Sequence, residues 1–78
     1  MTDRHINLKD DVKRMYRNAY GDMVLMTSNE NLVDEIWCRH TEGWSLFAGY
    51  STEYGCDYLV VPRRLWDECG QTVEGLLA

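Results

Sequence analysis

Cys38 and His40 are the first residues to weigh as ligands or catalysts, because they stand two apart and Cys56 and Cys69 follow them. Structural zinc sites present their ligands as two close pairs, since a tight knuckle must hold two ligands on one side of the ion. This chain has one Cys-x-His pair and two isolated cysteines. On a strand Cys38 and His40 would point the same way, which leaves a Cys-His-Cys-Cys site open; the plainer expectation is a partly buried, hydrogen-bonded His40 among core thiols, with no metal or cofactor. Nucleophilic catalysis needs a thiol or hydroxyl with an activating base and an oriented third group. The only histidines are His5, beside the amino terminus, and His40. Asp10/Asp11, Asp34/Glu35 and Asp67/Glu68 are adjacent carboxylates that diverge on a helix or strand, whereas an acid and base must converge on one substrate. No Gly-x-Ser-x-Gly, phosphate loop, His-Glu-x-x-His or dinucleotide fingerprint occurs, and no enzyme is expected.

Charge is the stronger signal. The formal net charge is −5 and unevenly spread: residues 1–20 hold three acids and five bases, residues 21–57 hold seven acids and only Arg39, and residues 58–78 hold three acids and two bases. An acidic chain is not expected to bind nucleic acid directly, which calls for a basic stripe. Lys13, Arg14 and Arg17 read as a solvated face. Among the acids, Asp34, Glu35, Glu42, Glu53 and Asp57 are candidates for a negative rim around an aromatic anchor, Trp37 and Phe47. Such a rim steers the protein toward a protein or nucleoprotein partner with a basic surface. Solubility alone is the bland reading of the same charge.

These residues are placed by an expected α+β fold. Leu8, Val12, Met15, Tyr16 and Ala19 share one helical face, Asn7 can cap it, and Gly21 supplies a left-handed exit, which predicts a helix over 8–20. Met23 to Met26 is apolar at every position, as is Tyr58 to Val61, so each reads as a strand covered on both faces. Val33 to His40 is open between a strand and a short helix capped near Ser28. A strand is preferred because Thr41-Glu42-Gly43 can close a hairpin onto Trp44 to Tyr50. That central hairpin would set Trp37 opposite Phe47. Residues 51–57 are a loop, and Pro62 opens a C-terminal helix over 62–77, either continuous or broken at Gly70. The expectation is an N-terminal helix, an antiparallel sheet of three to four strands and a closing helix. The aromatic pair is core if helices cover both sheet faces and exposed if they share one.

Seventy-eight residues hold one domain with a small core. No apolar run is long enough to span a bilayer, and Met1 to His5 has no signal-peptide character, so a cytoplasmic location without membrane contact is expected. An odd number of cysteines fits a reducing compartment. This profile, small, acidic, aromatic-rich and without a catalytic signature, resembles that of small phage-encoded inhibitors, anti-CRISPR proteins among them. The resemblance implies stoichiometric binding to a host nucleoprotein complex, in some cases by imitating DNA charge, and assigns no residue. The alternative is a homodimer that buries its mixed sheet face against itself.

Overall fold

A computed structural model gives the fold and describes residues 6–78. The readings made at Met1 to His5 lie outside the described residues. In chain order the elements are α1 (Leu8–Asp11), β1 (Val12–Arg17), β2 (Met23–Thr27), α2 (Glu30–His40), β3 (Phe47–Ser51), β4 (Cys56–Val61), α3 (Arg63–Glu68) and α4 (Val73–Leu77). The fold is α+β. Its four strands form one antiparallel sheet in the order β1-β2-β4-β3, with the two doubly apolar runs in the middle.

The expected helix over 8–20 survives only as the single turn of α1. Asn7 caps that turn by accepting the Lys9 amide at 3.2 Å, while the Asp11 carboxylate accepts the Asn7 amide at 2.8 Å and the Asn29 side-chain amide at 2.9 Å. The chain then leaves as β1, in register with β2 from Arg14↔Met26 to Arg17↔Met23. Strand outweighs local helical periodicity because β2, paired with β4 along one edge, has its other row of backbone groups satisfied by 12–17. Gly21, at φ 85°, serves a hairpin turn rather than a helix end. Asn18 Oδ1 builds that turn by accepting the amides of Tyr20 at 2.9 Å and Asp22 at 3.0 Å.

Residues 33–40 are likewise helical, which removes the expected hairpin closed by Thr41 to Gly43. Asn29 caps α2 by accepting the Asn31 amide, Arg39 and His40 lie in its last turn where the dipole favours positive charge, and Leu32, Val33 and Ile36 form its buried stripe. The hairpin of this region is β3–β4 instead, turned at Gly55 (φ 66°), whose amide donates to the Ser51 carbonyl at 2.7 Å. At the carboxyl end the chain breaks after α3, with Gly70 and Gln71 both left-handed at φ 77° and 59°. The Gln71 amide closes that end by donating to the Trp66 carbonyl at 2.8 Å.

All the longer helices pack on one face of the sheet. There Leu25, Leu59 and Val61 from the central strands meet Leu32, Val33 and Ile36 of α2, Leu65 and Trp66 of α3, and Val73 and Leu76 of α4. His40 ties the layer together, because its Nε2 lies 2.7 Å from the Leu76 carbonyl and therefore donates to it, joining the end of α2 to α4. Among the described residues no helix is long and apolar enough to cross a membrane.

Candidate functional site: the open face of the sheet

With the longer helices on one side, the opposite face of the sheet has no second layer among the described residues. Strand alternation puts Arg14 and Tyr16 of β1, Val24 and Met26 of β2, Phe47 and Gly49 of β3, and Cys56, Tyr58 and Val60 of β4 on that face. Val24, Met26 and Cys56 are nonetheless buried, at 4%, 4% and 8% exposure, and Tyr58 and Val60 pack against them. Both faces of the central strands are thus covered, as their sequence implied, but one cover is a roof of tyrosine side chains.

Three observations define that roof. The Arg14 guanidinium lies 5.1 Å from the Tyr16 ring centroid and 5.0 Å from that of Tyr54, which brings the β3–β4 turn across to the far edge strand. The Tyr58 ring passes over Gly49, where an added Cβ would sit 2.6 Å from the Tyr58 hydroxyl oxygen. Phe47 stands beside Tyr58 at a centroid distance of 6.1 Å and is 61% exposed. Between these rings runs a cleft of about 510 Å³ whose walls include Tyr16, Phe47, Tyr54, Tyr58, Asn18 and Glu53. A second cleft of about 440 Å³, beside Lys13, Arg14 and Tyr54, continues toward β1. Apolar rings with polar tips, one acid and two bases make a surface suited to docking.

The structure separates most of the residues expected to act together. Trp37 belongs to α2 and is 38% exposed in the helical layer, whereas Phe47 projects from the opposite face. The Trp37/Phe47 pair therefore does not form, because the hairpin that would have created it is a helix. Asp34 and Glu35 lie on α2, Glu35 paired with Arg39; Glu42 lies in the turn after it; Asp57 sits within β4 between Thr27 and Tyr50. Of the five candidate acids only Glu53 borders the open face, so they do not make one rim around one anchor. Tyr16, Tyr54 and Tyr58 are the members that sequence reasoning missed. The alternation of Tyr58 with Leu59 held the signal for one, while Tyr16 was absorbed into a helical face.

The thiol and imidazole groups are scattered too. Two residues apart on a helix is about 200° of rotation, so Cys38 and His40 diverge rather than converge. Cys38 is exposed, Cys56 is buried beneath the tyrosine roof and Cys69 follows α3. Burial and the neighbouring Glu68 carboxylate push the Cys69 thiol above its ordinary pKa. Among the described residues no group of three or more His, Cys, Asp or Glu side chains is placed to hold a metal ion. Comparison with protein-family models, with curated proteins and with solved structures finds no match to this chain.

Proposed function

We propose that this chain works by stoichiometric binding rather than catalysis, and that the open aromatic face of its sheet is the surface it presents to a macromolecular partner. One observation carries the reading: among the described residues a contiguous set of rings from three strands and a turn is left without a covering layer, while the helices pack over the central strands on the other face. Exposed aromatic clusters with a polar border are the usual anchors of protein interfaces, because they bury much area with few rotamers to freeze. Phe47 keeps its proposed role as an anchor and gains Tyr54, Tyr16 and Tyr58 as neighbours.

The partner proposed is a protein or nucleoprotein surface with basic character, since the chain carries a net −5 and Asp34, Glu35, Glu42 and Glu53 stand at or near its surface. Dispersed acids steer encounter without fixing the contact, so charge imitation of DNA loses its geometric support while electrostatic steering keeps it. Inhibition of a host complex, in the manner of the phage-encoded proteins whose profile this chain resembles, rests on that profile and charge.

The test is a tagged capture experiment from bacterial lysate, with nuclease, comparing the wild type with Phe47→Ala plus Tyr54→Ala. A captured species that survives nuclease, weakens with salt and is lost by at least about tenfold in the double variant is the expected outcome. A double variant that captures the same species as strongly as the wild type places the contact elsewhere.

A further inference from the structure

The two edges of the sheet are finished in different ways. β1 carries Lys13, Arg14 and Arg17, and its register with β2 shifts between Val12 and Arg14. Charge and an irregular ladder are the means by which edge strands avoid pairing with other chains. β3, the opposite edge, has neither. Its five residues, Phe-Ala-Gly-Tyr-Ser, include no charge and no proline, and its ladder with β4 is regular from Phe47↔Val60 to Ser51↔Cys56. It is also thinly covered: the Tyr58 ring lies over Gly49 on one face, while α2 packs chiefly over β2 and β4 on the other, leaving Tyr50 at 60% and Phe47 at 61% exposure, with Ala48 exposed between them. An uncharged strand with two exposed aromatics, at the edge of the sheet and with no further strand beside it among the described residues, offers its outer edge for pairing.

We infer that β3 pairs with β3 of a second copy of this chain, antiparallel about a two-fold axis at Gly49, so that two four-stranded sheets join into one of eight strands. The sequence of the strand selects this occupant. The two-fold sets Phe47 opposite Ser51 of the second copy, Ala48 opposite Tyr50, and Gly49 opposite Gly49. Every large side chain meets a small one, on both faces, and no charge meets a like charge. The same operation on β1 would bring three bases from each copy to one seam. Gly49 acquires a second reason to be glycine: with the two Cα atoms about 5 Å apart, the Tyr58 ring of each copy reaches over its own glycine and the two rings meet above the seam. The pairing leaves the open aromatic face free and doubles its length, so it stands independently of the partner proposed for that face.

Sedimentation equilibrium of the full chain between about 1 and 200 μM is the test. The wild type is expected to be dimeric at the upper end. Ala48→Lys with Tyr50→Lys sets lysine opposite lysine twice across the axis and is expected to weaken association by at least about tenfold. Ala48→Glu with Tyr50→Lys sets glutamate opposite lysine twice and is expected to retain the dimer. Both positions are exposed, and circular dichroism confirms folding of each variant. Amide exchange of the wild type gives an independent reading: the outward β3 amides slow as concentration rises and those of β1 do not. A wild type that stays monomeric throughout overturns the inference. So does a lysine/lysine variant that dimerises like the wild type, a glutamate/lysine variant as weak as it, or β3 amides indifferent to concentration.

Discussion

Single residues here are governed by which layer they fall in, and the three cysteines make that measurable. Cys38 is exposed on α2, Cys69 is half-buried with its thiol pushed up by burial and by Glu68, and Cys56 lies beneath the tyrosine roof. Thiolate is the reacting form, so access and thiolate fraction both order the rates. With a chromogenic thiol reagent at about pH 8, one thiol of the native protein should react fast and one slowly, while the third waits for denaturant; peptide mapping should assign them as Cys38, Cys69 and Cys56. Simultaneous reaction of all three would mean that the open face does not shield its floor. Of the expectation for His40, a partly buried and hydrogen-bonded histidine among core thiols, the partial burial and the hydrogen bond hold, while the thiols lie elsewhere and the residue ends a helix rather than a strand. Its partner was not legible in the sequence, because the Leu76 carbonyl is 36 residues away and only packing of α4 on α2 brings them together.

At the level of elements, the residues that read correctly are those whose pattern admits one solution. The continuous apolar runs at 23–26 and 58–61 suit a central strand and little else, and both are one. Residues 8–20 satisfy the helical period, and Val-Lys-Arg-Met-Tyr-Arg from Val12 on shows no strand alternation to oppose it; pairing with β2 overrides the local pattern. Residues 33–40 failed for the converse reason, since Glu-Ile-Trp-Cys-Arg-His alternates well enough for a strand while the cap that settles it, Asn29, lies four residues upstream of Val33. The break near Gly70 has its own signature in α4. A Cβ at Gly75 would fall 1.8 Å from the Cys69 carbonyl oxygen, a backbone atom that cannot step aside without moving the turn. Gly75→Ala, which raises intrinsic helix propensity, should therefore destabilise the protein by about 1–3 kcal/mol in urea denaturation. A neutral or stabilising result would place α4 farther from that turn.

For the molecule as a whole, the candidate site could not be read from sequence because it is a property of what is missing: a bare face exists only once every helix of length has gone to the other side. Net charge and the aromatic count suggest binding, yet only Phe47 of the expected anchor lies on the open face, because the hairpin that would set Trp37 beside it does not form. The middle seam of the sheet joins Met23–Thr27 to Asp57–Val61, so neither half is complete alone. A chain ending at Tyr54 should lack a cooperative thermal transition, and its far-ultraviolet spectrum should be that of an unfolded chain, whereas a folded fragment would show that β1, β2 and α2 suffice. The same seam sets a schedule for synthesis. At about 5–20 residues per second, roughly two to seven seconds pass between the making of Thr27 and of Val61. Through that interval β2, apolar on both sides and open along one edge, has no neighbour to close it. The half-made chain, more than the finished one, is where this protein is exposed to aggregation and where a chaperone would find it.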